Sequence, residues 1–282
     1  MSAPGRLRQG IIGESAAAIT LATALHRCGH VVTMASVRDA EMAERLDALA
    51  PGVRAGEPGD IVAGCDLVWI AADDARVGEV ARELARAGAI RPGILIAHAC
   101  AGIGLEPLEV AESQGATVLA FTPLAPLDAT SVSVARLSGM ALAVTARAPF
   151  LPIAQALATE MGAMPVTIDT DEAPIVHEAA RLALTHVGVL LDAATRLLGA
   201  VGVDNAAAII APLLESHLHA GPGAVAETLT PQAQARLHAR LDRIRLSPLD
   251  EDDPEPATDA LADVAALIDA LEGHLSRERG AR

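Results

Sequence analysis

The sequence has no lysine, no tyrosine and a single asparagine, Asn205. All 21 basic residues are arginine. A lysine amine is therefore excluded as acid, base or Schiff-base former, and so are the Tyr–Lys pairs of some dehydrogenases. Abundant Ala and Arg fit a GC-rich coding sequence, and the exclusion holds whatever its cause. Basic charge is also in deficit: 21 arginines against 36 acidic residues leave a formal net charge of −15. With no basic stripe to neutralise phosphates, nucleic acid is not an expected partner. The run Asp250-Glu251-Asp252-Asp253, with Glu255, reads as a solvated loop. The cysteines, Cys28, Cys65 and Cys100, are odd in number, scattered and without a CxxC pair. They indicate a reducing cytoplasm and offer no metal framework.

Membrane signals are weak. Arg6 and Arg8 precede an apolar stretch, but Glu14 interrupts it. The stretch from Leu182 to Val201 contains His186, Asp192 and Arg196, which a bilayer centre disfavours. What is abundant is apolar residue, 51% of the chain, enough for a sizeable core.

Those residues alternate between two patterns in the first half. Short apolar strands are predicted at 10–12, 31–35, 67–71, 94–97 and 117–121, then at 141–145 and 165–168. Helices are predicted at 16–28, 40–49, 76–87 and 150–161. Uninterrupted apolar strands separated by helices imply a mainly parallel sheet covered on both faces. After Asp171 the strand signal stops. A long helix is expected over 172–201, with Ile175, Ala179, Leu182, His186, Val189, Ala193 and Leu197 down one side. Its apolar residues span so much of its circumference that burial on several sides, in a helical domain or a dimer, is expected. Further helices are expected at 205–219, 231–244 and 258–275. The fold class is thus an α/β domain over 1–170 followed by an all-α domain over 171–282.

The first strand runs into Gly13-Glu14-Ser15-Ala16-Ala17-Ala18, the place of a G-x-G-x-x-G/A dinucleotide loop. Gly13 suits the tight turn and Ala18 suits close helix–sheet packing. Ser15 stands where a glycine lets the backbone approach a pyrophosphate, and Glu14 adds charge that opposes an anion. The second strand ends in Ser36-Val37-Arg38. An arginine there can fork onto a 2′-phosphate, which favours NADP over NAD; an ordinary exposed Arg is the alternative. Ala72 and Asp73, with Asp74, follow the strand 67–71 and either face the cofactor or cap a helix.

These pieces, with His98-Ala99-Cys100, Thr122-Pro123-Leu124 and Val176-His177-Glu178-Ala179, resemble a known family. It comprises Rossmann-like proteins with a 6-phosphogluconate-dehydrogenase-like helical C-terminal domain. The actinobacterial-type NADP-oxidoreductase-like proteins, whose C-terminal domain has no known function, are the nearer group. Pyrroline-5-carboxylate reductase and ketopantoate reductase are more distant. The resemblance runs from about residue 9 to about 222 and is clearest over 91–200. It implies a cofactor domain, a helical domain used for homodimerisation, and a small-molecule substrate in the cleft between them. The chain departs from the pattern at Cys100, Thr122, Val176 and Leu184-Thr185, and after Gly221-Pro222.

With lysine absent, His177 is the candidate proton donor for a carbonyl or imine reduction. Arg181, one turn on, is the candidate holder of a substrate carboxylate, unless it pairs with Glu178. His98, at the carboxyl end of an apolar strand, is a candidate to touch substrate, and otherwise bonds within its turn. Cys100 is a candidate nucleophile or a small buried residue. His186 reads as a core or interface residue. His217 and His219 lack partners at ligand spacing, so no metal is expected. Two readings remain: an NADP-dependent oxidoreductase acting on a small carbonyl or imine acid, or a non-catalytic or non-redox dimeric relative with a degraded nucleotide loop, in which a cofactor need not bind, that keeps the fold for ligand or partner binding.

Overall fold

The computed structural model describes residues 6–200 and 203–220. The expected helices at 231–244 and 258–275, the acidic run 250–255 and Gly221-Pro222 lie outside the described residues. So do the side chains of His186 and His217.

The elements in chain order are β1 (Arg8–Gly13), α1 (Ala16–Arg27), β2 (Val31–Ser36), α2 (Ala40–Leu49), β3 (Arg54–Ala55) and α3 (Pro58–Gly64). Next come β4 (Leu67–Ala71), α4 (Asp74–Arg86), β5 (Leu95–His98), α5 (Glu109–Glu112), β6 (Thr117–Pro123) and α6 (Ser131–Arg136). The last are β7 (Ala141–Ala146), α7 (Leu151–Glu160), β8 (Met164–Thr167), α8 (Ala173–Ala200) and α9 (Ala206–Ala220). The sequence pattern misses β3, α3, α5 and α6. Each is too short to show a period, and β3 has only two exposed residues.

All eight strands form one sheet in the order β3-β2-β1-β4-β5-β6-β7-β8. Pairing is parallel from β3 to β6; β7 runs antiparallel to β6 and parallel to β8. The central strand β4 is buried at every position, as its apolar run requires. One face packs against α1, α2, α6 and α7, through residues such as Ile19, Leu25, Leu46, Val134 and Leu157. The other packs against α3, α4 and α5, through Ile61, Val77, Leu84 and Ala111. Within the first core Trp69 meets Phe121 at 5.3 Å between ring centroids. The Trp69 indole N–H donates to Gln9 Oε1 at 2.9 Å, and Gln9 donates to the Ala22 carbonyl at 3.1 Å. This satisfies the polar atoms of a fully buried glutamine in the middle of the sheet.

The chain divides into two compact units, 1–181 and 182–282. In the first, Ala173 is buried with Ala143 and Ile168, and Val176 and Leu124 pack against them. The opening turns of α8 are thereby seated on this unit. In the second, α8 continues to Ala200 and α9 follows with Pro212 inside it. Within the single chain, Ile175, Leu182, Leu184 and Val187 are exposed. Among the described residues no helix is long and apolar enough to cross a membrane.

Candidate functional site

From β1 the chain steps outward on both sides, to β2 in one direction and to β4 in the other. Such a reversal opens a crevice at the carboxyl ends of the strands, where open α/β sheets bind ligands. The β1–α1 turn lies there. Gly13 has φ +106°, and a Cβ on it would stand 2.2 Å from the Ala71 carbonyl oxygen. That oxygen accepts the amides of Glu14 at 2.6 Å and Ser15 at 2.9 Å, which locks the turn to the end of β4. Ser15 is the N-cap of α1 at φ −62°, ψ 119°, an extended conformation open to any residue. Its side chain makes no capping bond. The first amides of α1 thus lack both an intrahelical acceptor and a side-chain cap, which leaves them for an anion. Ala18 is fully buried in the core shared with Trp69 and Ala71. The close helix–sheet approach assigned to the third position of the loop is present.

Glu14 does something the sequence does not reveal. Its Oε1 accepts the amides of Arg38 at 2.8 Å and Asp39 at 3.0 Å. The carboxylate therefore bridges the glycine turn to the end of β2, where Ser36 pairs with Ile12. Asp39 caps α2 by accepting the Met42 amide at 2.8 Å. Arg38 is exposed, and its guanidinium has no partner among the described residues.

Across the crevice, Asp73 occupies the N-cap of α4 without a capping bond from its side chain. The Ala72 carbonyl accepts the Cys100 thiol at 3.2 Å. Cys100 is 5% exposed, and burial pushes its thiol far above the ordinary range, helped by Asp74 and Asp73. A thiol held protonated in this way is a poor nucleophile. His98 is fully buried. The Cys100 amide donates to Nδ1 at 3.2 Å, so the ring proton sits on Nε2, which donates to the Gly104 carbonyl at 2.9 Å. Both nitrogens are engaged inside the 98–104 loop, and none is left for a substrate. Thr122 ties β6 to the same loop by donating to the Cys100 carbonyl at 3.3 Å.

Burial also holds the His98 imidazole below its ordinary value. The unfolded chain takes up a proton near pH 6.5 that the folded chain resists. Above that pH the group leaves stability unchanged; below it the unfolded state binds more protons, and stability falls toward the depressed folded pKa. The melting temperature is therefore expected to drop between about pH 7 and about pH 5, and less steeply in His98→Asn. Equal slopes would show that the folded ring takes protons freely.

The loop 98–104 meets the start of α8 and the turn before it through two glycines. A Cβ on Gly102, at φ +88°, would lie 3.2 Å from His177 Cδ2, and one on Gly104 would lie 2.5 Å from Thr170 Cγ2. The His177 ring is thus laid against the loop after β5. It is half-buried, and its nitrogens have no partner among the described residues. Arg181, one turn on, is engaged by Glu178: Nε donates to Oε2 at 2.9 Å and Nη2 to Oε1 at 2.5 Å. One edge of its guanidinium is thus taken by Glu178.

The structure thus links Gly13, Glu14, Ser15, Ser36 and Arg38 at one end of the crevice. It links Ala72, His98, Cys100 and Thr122 in the middle, and His177 beyond Gly102. Gly102 and Gly104 escape the sequence reading because their role is a contact with a segment distant in the chain. Among the described residues no group of three or more His, Cys, Asp or Glu is placed to hold a metal ion.

Two family models match the chain. One, a Rossmann-like domain, covers residues 2–123; the other, a domain of unknown function, DUF2520, covers 140–239. No curated protein matches. Solved structures share the fold at low identity. A candidate NADP oxidoreductase from Bacteroides fragilis superposes with a TM-score of 0.65 at 18% identity, over 98% of this chain and 99% of that one. A pyrroline-5-carboxylate reductase from Coxiella burnetii gives 0.60 at 15% identity, over 97% and 93%. An imine reductase from Myxococcus stipitatus, solved in complex with NADP+, gives 0.57 at 17% identity, over 86% and 80%.

Proposed function

Because the chain joins a Rossmann-like domain to a DUF2520 domain, we propose that it is a nicotinamide-dinucleotide-dependent oxidoreductase that reduces a small carbonyl or imine acid. The observation that carries this reading is the Gly13 turn, locked to Ala71 and leading into a helix N-terminus with no side-chain cap. A helix N-terminus of this kind offers its free amides to an anion such as a pyrophosphate. Structural likeness to a pyrroline-5-carboxylate reductase and an imine reductase supports it.

A bound nicotinamide dinucleotide would supply the electron pair to the substrate carbon. The protein must then bring a proton to the substrate oxygen or nitrogen. His177 is the residue suited to this, with an unengaged imidazole beside Gly102. His98 and Cys100 shape the loop on which it rests, and Thr122 anchors that loop to β6. Arg181 holds Glu178 through Nε and Nη2 and keeps Nη1 for a substrate carboxylate. Two groups at the end of β2 would bear on the 2′ position of an adenosine ribose bound there: Arg38, whose guanidinium would favour NADP, and Glu14, whose carboxylate would oppose it. The exposed Ile175, Leu182, Leu184 and Val187 support a second copy of the chain as their cover.

Titration of NADH and NADPH, followed by nucleotide fluorescence and by melting temperature, is expected to show micromolar binding of at least one. No binding of either at millimolar concentration overturns the reading. That result would leave the fold to ligand or partner binding without redox chemistry.

A further inference from the structure

We propose that Glu14 selects the cofactor, turning the site toward NAD(H) and away from NADP(H). The inference rests on a nicotinamide dinucleotide occupying this edge of the sheet. In NAD sites a carboxylate at the end of the second strand accepts hydrogen bonds from the ribose 2′-hydroxyl. Here no acid stands at Ser36, Val37 or Arg38. The carboxylate comes instead from the glycine turn, 24 residues earlier, and is carried to the end of β2 by the Arg38 and Asp39 amides.

Both amides donate to Oε1, and Oε2 has no partner among the described residues. One carboxylate oxygen is therefore anchored and the other remains to accept from a diol. A 2′-phosphate would meet the opposite situation. It brings close to two further negative charges. The backbone amides that would receive it already hold an anion, and Asp39 sits beside them with its carboxylate on the Met42 amide. Arg38 is a single cation against Glu14 and Asp39. The guanidinium that suggested NADP in the sequence is thus outweighed by a carboxylate that the fold delivers from another element.

The bridge that Glu14 makes to the Arg38 and Asp39 amides needs an acceptor oxygen but not a negative charge. The turn is held by its own backbone amide to Ala71, and Asp39 already caps α2. A glutamine could keep the two amide bonds through its carbonyl oxygen and lose only the charge.

The test measures dissociation constants of NADH and NADPH for the full chain by nucleotide fluorescence, in wild type, Glu14→Gln and Glu14→Ser. Wild type is expected to bind NADH at least about 10-fold more tightly than NADPH. Glu14→Gln is expected to raise NADPH affinity about 10-fold or more while NADH affinity changes only a few-fold. Glu14→Ser, which also removes the anchored oxygen, should shift the ratio the same way. Arg38→Ala added to Glu14→Gln should take the gained NADPH affinity away. A wild type that prefers NADPH overturns the proposal, and so does a ratio that neither Glu14 variant alters. Absence of binding by both nucleotides to every variant overturns it together with the cofactor reading; an unaltered ratio with intact binding removes Glu14 alone.

Discussion

Replacing His177 by alanine is expected to lower turnover by about 10²- to 10⁴-fold, the usual loss when a positioned proton donor is removed. Dinucleotide affinity and melting temperature should change little. The ring is half-buried and packs against Gly102. Its nitrogens bond to nothing among the described residues, so no buried partner is stranded by its removal. Lysine and tyrosine, the donors that would substitute for it, are absent from the chain. Steady-state turnover, with the NADH titration run in parallel, separates the two effects. Wild-type turnover in His177→Ala would remove the residue from the reaction. A matched loss in cofactor affinity would assign it to binding instead. His177→Asn, which keeps a hydrogen-bond donor but cannot deliver a proton near neutrality, should be as defective as the alanine.

Gly13→Ala should be more damaging still, and to binding rather than chemistry. At φ +106° an L side chain is strained, and its Cβ would stand 2.2 Å from the Ala71 oxygen, a rigid backbone atom. The turn would have to move, and the Glu14 and Ser15 amide bonds to that oxygen would go with it. Strain and lost bonds together amount to roughly 3–5 kcal/mol. For a unit of this size that lowers the melting temperature by about 10 °C. Because the same movement displaces the start of α1, dinucleotide binding should be lost even below the variant's melting temperature. A Gly13→Ala protein that melts and binds like wild type would show that the turn has room the structure does not display. Ser15→Gly is the contrasting substitution. Ser15 sits at φ −62° and holds no capping bond, so the change should be nearly neutral for stability.

Much of the scaffold was legible. β4 reads Leu-Val-Trp-Ile-Ala with no polar interruption, and it is the most buried strand of the sheet. Gly13 could be marked as a turn glycine from its place between an apolar strand and an alanine-rich helix. The elements that escaped were β3, α3, α5 and α6, which are held by tertiary packing rather than by a period of their own. The reversal of β7 against β6 was equally invisible, since an apolar strand reads the same in either direction. At the site, Glu178 and Arg181 were legible as a pair because helical spacing alone brings them together. His98 and Cys100 were visible as residues at a strand end. That their polar atoms turn inward, to Gly104 and Ala72, depends on loop closure.

The sequence by itself determined which chemistry is unavailable, by lacking lysine and tyrosine, and that apolar strands alternate with helices in its first half. Composition and hydrophobic period are local properties, and they survive without knowledge of the fold. Only the tertiary structure decided what the charged and titratable residues face. It carried Glu14 to the amides of Arg38 and Asp39 across 24 positions of chain, and laid the His177 ring on Gly102. A parallel sheet gathers the ends of distant strands along one edge. Whether a carboxylate there opposes an anion or accepts from a diol is set by those neighbours, not by its neighbours in the chain.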